Sequence, residues 1–324
     1  MRFSGAPAAL LLLGGCATLP AAERPAVPVT ILAFNDFHGN LEPPGRSIAA
    51  PTASGGTEEV PAGGAAYLAS LIRAERAAAP DAVVVSAGDL VGASPLVSSL
   101  FLDEPTIVAM NMVGLDFNAV GNHEYDRGTA ELVRKQQGGC ARHTEIEPCQ
   151  IEHDFPGARF RFLAANSRKA DGTPLFAPYA IRTVGRGARR VRIGFIGLTL
   201  QGTGEIVRKS GLAGVRFADE ADTANALVPK LKAAGADAIV LLIHQGGRTE
   251  VGYNDKSCAG LSGDILPVLD RLDPAIDVVV SGHTHQAYVC DYGQLRPGRP
   301  VLLTSAGQYG TLLTRIRLSV RRGA

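Results

Sequence analysis

The feature that most constrains this chain is a repeated grammar, in which a short apolar run of β-type empties into a side chain able to bind metal. Run 29–34 leads to Asn35-Asp36-Phe37-His38-Gly39, run 83–87 to Gly88-Asp89, and run 116–120 to Gly121-Asn122-His123-Glu124. Run 238–243 leads to His244, and run 276–280 to Ser281-Gly282-His283-Thr284-His285. A turn aspartate or a core histidine accounts for any one such ending, but not for five apolar runs that all end in Asp, Asn or His. In an extended backbone residues i and i+2 share a face. Asp36 and His38 are therefore predicted to grip one ion from one strand end, with Gly39 turning the chain away.

Helical pattern separates the runs. Ala65, Leu68, Leu71 and Ile72 recur at helical spacing within 64–79, and Pro80-Asp81 ends that segment. Ser94-Pro95 opens a second helical stretch to Val113, and 218–234 and 262–272 read as two more. Strand, helix, strand, helix, strand is the order of a sheet with parallel components covered by helices, an α/β fold. Segments 159–164, 179–184 and 190–196 read as further strands, the last two joined by a Gly-rich turn at 185–187. Segments 301–305 and 312–320 alternate like half-buried antiparallel strands. Two stretches interrupt the alternation: 42–61, rich in Gly, Pro, Ser and Thr, reads as a surface insertion near the site mouth, and 138–154 as a polar excursion.

With 324 residues and 46% apolar content the chain can form one large α/β domain or two small ones. Formal net charge is +1, and loss of Arg2 with a leader brings it to 1 − 1 = 0. Together with the lack of basic blocks, this excludes the electrostatic footprint of a nucleic-acid binder. The leader is read from Arg2, an apolar run at 6–13 too short to cross a bilayer, and Leu13-Gly14-Gly15-Cys16. It resembles a bacterial lipoprotein signal, giving a signal peptide at 1–15, a lipid on Cys16 and a tether at 16–28. The alternative is an ordinary secretory peptide cut near Ala21 or Ala22. Both routes lead out of the cytoplasm into the cell envelope, facing the periplasm, with the lipid as the membrane contact. Four cysteines then remain, which allow three pairings in an oxidising compartment. Cys140–Cys149, closing a small loop, with Cys258–Cys290, bracketing His283 and His285, is the favoured set. A Cys-based zinc site would need a close Cys-x-x-Cys spacing that the sequence lacks.

Asp36, His38, Asp89, Asn122, His244, His283 and His285 are hard or borderline N and O donors at the carboxyl ends of strands, where an open α/β sheet has its crevice. Seven donors are too many for one ion and suit two if a carboxylate bridges. Asp89 is the best bridge, because its strand is expected to fall between the others. Two ions about 3.5–4 Å apart can hold a hydroxide between them and clamp both oxygens of a phosphoryl transfer, so the expected substrate is a small phosphate ester. His123, beside Asn122, is free to donate a proton, and Asp126 can orient it and hold it protonated. Glu124 reads as structural and Tyr125 as packing. Mn²⁺, Zn²⁺, Fe and Co²⁺ all suit this donor set.

These ordered blocks resemble the calcineurin-like metallophosphoesterases, and the longer matches resemble the secreted bacterial 5′-nucleotidases, UDP-sugar hydrolases and 2′,3′-cyclic phosphodiesterases. The resemblance runs from about residue 29 to the end. It implies a four-layer α/β/β/α sandwich of two mixed sheets flanked by helices. It also implies one ion on Asp36, His38, Asp89 and His285 and another on Asp89, Asn122, His244 and His283, with His123 and Asp126 as a catalytic dyad. Nucleotides are the implied substrate class. Relatives of this type carry a carboxyl-terminal domain whose arginines and aromatic rings hold the nucleotide, and 29–324 is expected to be the catalytic domain alone. The competing expectation is a metal-binding envelope lipoprotein of little or no turnover that has lost that domain. The sequence contains no signal for an oligomeric state.

Overall fold

A computed structural model of the protein describes residues 25–323. The expected signal peptide, Cys16 and most of the tether lie outside the described residues. Within them, the parallel strands are nearly continuous Val, Ile, Leu and Ala runs because both of their faces are buried. Strand Val27–Phe34 shows how. Val29, Ile31 and Ala33 face Val240, Leu242, Val278 and Phe195 of a second sheet, whereas Leu32 and Phe34 face a helical layer containing Leu68, Ile72, Ile107 and Leu132. The second sheet repeats the pattern: Ile239, Leu241 and Ile243 pack outward on Leu227, Leu231, Val268 and Leu269. Three apolar layers separated by two sheets are what a four-layer sandwich requires, and they are present.

The first sheet runs in the order Thr314–Val320, Val27–Phe34, Val83–Ser86, Phe117–Ala119, Arg161–Leu163. Its four inner and later strands are parallel, and Thr314–Val320 pairs antiparallel with Val27–Phe34. The second sheet runs Ala287–Asp291, Leu302–Ala306, Val278–Ser281, Ala238–Ile243, Val191–Leu198, Tyr179–Val184, with antiparallel pairs at both edges. Val83–Ser86, which leads to Asp89, is the middle strand of its sheet, as a bridging position needs.

Several expectations change. The helical stretch from Ser94 to Val113 is broken: helices Leu96–Ser99 and Glu104–Val113 flank Leu102 and Asp103, which have φ of 57° and 63°. Strand Leu302–Ala306 is antiparallel on one side only; on the other it runs parallel to Val278–Ser281. The 42–61 insertion folds into a hairpin, Arg46–Pro51 against Thr57–Ala62. Both favoured disulfides are formed, with Cα–Cα separations of 5.6 Å for Cys140–Cys149 and 5.0 Å for Cys258–Cys290.

The two sheets approach closely where Gly197 meets Leu163. A Cβ on Gly197 would come within 2.7 Å of the Leu163 carbonyl carbon. Gly197→Ala is therefore expected to lower unfolding free energy by about 1–3 kcal/mol, as overpacking does, in a urea titration. An unchanged midpoint would show that the sheets separate freely there.

Candidate metal centre

The seven predicted donors follow five strand ends, three from the first sheet and two from the second, so the site lies on the seam of the sandwich. Backbone bonds lash the loops together: the Asp36 N–H donates to the Gly88 carbonyl at 3.0 Å, and the His38 N–H to the Asp89 carbonyl at 2.9 Å. Asp36 and His38 do converge, but not as alternate residues of an extended strand. Their φ values are 50° and 48°, and Asp89, His283 and His285 are also left-handed, at 50°, 73° and 57°. For residues with a Cβ this conformation is costly, and such positions concentrate at functional sites. The correction has a plain cause: a chain leaving a buried strand must turn at once to aim its next side chains across the strand ends.

Two groups result. Asp36, His38 and His285 offer ligand atoms lying within 4.8 Å of one another, and so do Asp89, His244 and His283. His38 Nε2 is 3.1 Å from His285 Nε2, and His285 Nε2 is 3.4 Å from Asp36 Oδ1. His244 Nε2 is 2.9 Å from Asp89 Oδ2 and 3.1 Å from Asn122 Oδ1, which also lies 3.1 Å from His283 Nδ1. Asp89 Oδ2 is 3.7 Å from His38 Nε2, so this one oxygen borders both groups. Asp36, His38, Asp89, Asn122 and His244 are buried, whereas the side chains of His285 and His123 are 34% and 36% exposed, which opens the site on their side.

The donor chemistry fits cations. His244 Nδ1 is 2.8 Å from the Ala87 carbonyl and His38 Nδ1 is 2.8 Å from the Gly92 carbonyl. A carbonyl only accepts, so both Nδ1 atoms carry hydrogen, and both Nε2 atoms face carboxylate, amide or imidazole acceptors. Each cluster therefore needs a proton or a metal ion at its centre, and anchoring a ligating imidazole through its other nitrogen is the usual arrangement of metal sites. Burial opposes a charge on His244, but the adjacent Asp89 carboxylate overrides it and raises the imidazole to about 10. Burial likewise opposes charge on Asp89, yet His244 holds its carboxyl below the ordinary carboxylate range. Burial lowers His38 and His283 below an ordinary histidine, toward the neutral form that binds metal.

His123 stands beside these groups with its Nδ1 donating to Asp126 Oδ2 at 2.9 Å. That hydrogen bond, against the opposing effect of burial, raises the imidazole above its ordinary value. Asp126 directly follows the short 3₁₀ turn His123–Tyr125, and its Oδ2 also accepts from the Ala93 N–H. Tyr125 is buried, as a packing residue should be.

Glu124 has a larger part than the sequence suggested. Its buried carboxylate accepts from the N–H groups of Asp89, Leu90 and Gly121 at 2.8–2.9 Å and from Asn118 Nδ2 at 3.1 Å. It clips the Asp89 loop to the Asn122 loop, although burial and the Asp89 charge push it up to about 7. Gly121 allows the contact, because a Cβ there would fall on the Asp89 carboxylate. Asn35 holds the other carboxylate, donating to Asp36 Oδ2 at 2.6 Å and to the Gly307 carbonyl at 2.7 Å. Both residues sit inside the sequence blocks, Asn35 next to the predicted ligand Asp36 and Glu124 next to the predicted catalytic His123, and that adjacency was the available signal. None of the seven donors lines the cleft of about 850 Å³ that opens beside Leu302 and Arg315.

A sandwich with two facing Asp and His clusters on its strand ends defines a metallophosphoesterase. The chain belongs to the calcineurin-like phosphoesterase family, whose family model matches residues 29–287. It is 51% identical over 187 residues to an uncharacterised Acinetobacter calcoaceticus protein from the pqq-V 5′ region, covering 55% of this chain and 92% of that one. It is 32% identical over 266 residues to endonuclease YhcR of Bacillus subtilis, covering 82% of this chain and 20% of YhcR. Among solved structures, a 5′-nucleotidase precursor of Thermus thermophilus matches with a TM-score of 0.62 at 25% identity, over 90% of this chain and 51% of that one. The chain thus spans a fifth of YhcR and about half of the Thermus protein.

If Glu124 holds the two loops in register, Glu124→Gln, which places an amide NH₂ against N–H donors, should weaken Mn²⁺ affinity about 10–100-fold in calorimetry. Wild-type affinity in that variant would show that the loops hold their positions without the clip.

Proposed function

We propose that this protein hydrolyses phosphate esters, with nucleotides as the substrate class, using two divalent cations. One would be held by Asp36, His38, Asp89 and His285 and the other by Asp89, Asn122, His244 and His283. The observation that carries the reading is the position of Asp89 Oδ2 at the border of two clusters of converging acceptors, with His123 and its Asp126 partner alongside. When bound, such a pair of cations supplies the Lewis acidity that offsets charge on the phosphoryl oxygens and yields the nucleophile at neutral pH.

The side chains do the remaining work. Asp89 and Glu124 fix the separation of the clusters. His123, kept cationic by Asp126 and partly exposed, contacts the phosphate and gives its proton to the departing oxygen. The nucleotide class is supported by the named relatives, an endonuclease and a 5′-nucleotidase, both of which act at phosphate esters of nucleotides. An envelope location, with a lipid on Cys16, belongs to the same proposal and is consistent with two disulfides.

The test is hydrolysis of AMP, 2′,3′-cyclic AMP, UDP-glucose and bis-p-nitrophenyl phosphate by protein starting after Cys16, with Mn²⁺ or Zn²⁺ restored after chelation. Metal-dependent cleavage of AMP above the generic diester is expected, and Asp89→Ala should abolish it. His123→Ala should keep its metal and lose about 10²–10⁴ in rate. Turnover that survives Asp89→Ala would sink the proposal.

A further inference from the structure

The 42–61 hairpin carries a guanidinium to the edge of the metal centre. Arg46 begins the hairpin's first strand, and its Cζ lies 5.3 Å from the centroid of the Tyr309 ring. Tyr309 in turn stands with its ring centroid 6.0 Å from that of His38 and 6.0 Å from that of His285. One aromatic ring therefore separates Arg46 from two predicted ligands of the same cation.

The backbone fixes this arrangement. Tyr309 is left-handed, with φ of 59°, and its N–H donates to the Asp36 carbonyl at 2.8 Å. Its own carbonyl accepts from the Gly64 N–H at 2.9 Å, just after the hairpin's second strand. On the far side Tyr253 donates its hydroxyl hydrogen to the Ala49 carbonyl at 2.8 Å. The hairpin is thus tied down at Ala49 and just past its second strand, which keeps the exposed Arg46 side chain beside the metal centre.

Arg46 has no carboxylate within ion-pairing distance among the described residues. Its Cζ lies over the Tyr309 ring, whose negative face attracts the guanidinium. Among the described residues no hydrogen bond takes up its N–H groups, and their fork matches the oxygens of a phosphate. A guanidinium held over a ring in this way, beside a phosphoesterase site, is arranged to receive an anion.

We infer that Arg46, positioned by the Tyr309 ring, binds the non-bridging oxygens of a phosphate monoester and makes the site prefer monoesters over diesters. A monoester near neutral pH carries up to two negative charges on three terminal oxygens, so with two of them toward the cations one would remain for the fork. A diester has one charge and two such oxygens, and it presents a second alcohol group on the side where Arg46 stands. Arg46 is thereby a specificity-determining residue and Tyr309 a positioning residue. The inference rests on the proposed phosphoesterase reading.

Two measurements separate the inference from that reading. The first is steady-state hydrolysis of AMP, p-nitrophenyl phosphate and bis-p-nitrophenyl phosphate by Mn²⁺-loaded wild type, Arg46→Ala, Tyr309→Leu and Tyr309→Phe, with metal content measured for each. Arg46→Ala should raise KM for both monoesters roughly 10-fold, the effect of losing a charge-assisted hydrogen bond, and leave kcat, the diester and bound metal unchanged. Tyr309→Leu should reproduce that pattern, and Tyr309→Phe, which keeps the ring, should behave as wild type. The second is calorimetric binding of AMP to Mn²⁺-loaded His123→Ala protein with and without Arg46→Ala, where affinity should fall by the same factor. Unchanged monoester KM and AMP affinity in an active Arg46→Ala enzyme, or an equal loss on the diester, would overturn the inference while leaving the phosphoesterase reading intact. Weaker AMP binding by Arg46→Ala in a protein that hydrolyses none of the three esters would support the anion site and overturn the phosphoesterase reading.

Discussion

The shared oxygen of Asp89 is the interaction on which the rest of the structure depends. It lies 2.9 Å from His244 Nε2 and 3.7 Å from His38 Nε2, and both imidazoles spend their other nitrogen on a backbone carbonyl. Acceptors gathered in this way repel unless a positive charge sits among them. The surrounding architecture can be read as the means of holding them in place. Glu124 fixes the Asp89 loop against the Asn122 loop, Asn35 holds the Asp36 carboxylate, and the His283 N–H donates to that carboxylate at 3.0 Å. The strained φ values of Asp36, His38, Asp89, His283 and His285 show the cost of that placement.

The sandwich is suited to bear this cost. Strands buried on both faces form stiff apolar layers, and the loops that leave their ends are anchored by backbone bonds. Because each cluster draws donors from both sheets, the distances within a cluster are set by the packing between sheets, where Val29, Ile31 and Val85 meet Val240, Leu242 and Val280. The reactive groups then divide by exposure. The buried residues Asp36, His38, Asp89 and His244 face one another, and His123, His285, Tyr309 and Arg46 reach solvent.

Much of this was legible in the sequence, for a physical reason. Two-sided burial writes strands as unbroken apolar runs, so 238–243 coincides with an observed strand, and the donors that follow such parallel runs necessarily share one end of the sheet. Less regular elements escaped. Ala287–Asp291 alternates only in burial, over just five positions, and the hairpin strands carry Pro51 and Pro61, which read as loop. The break at Leu102 and Asp103 has no glycine to announce it, and the left-handed Asp and His donors are themselves residue types that seldom adopt that conformation. Glu124 looked structural because its four donors, three backbone N–H groups and the Asn118 amide, are brought together only by the fold.

The central claim is that Asp89 sits between two cations. Anomalous diffraction from crystals grown with Mn²⁺ tests it directly. The account predicts two peaks about 3.5–4 Å apart, one beside Asp36, His38 and His285 and one beside Asn122, His244 and His283, with Asp89 between them. A single peak, or two peaks of which one lies outside Asp89's reach, would contradict it.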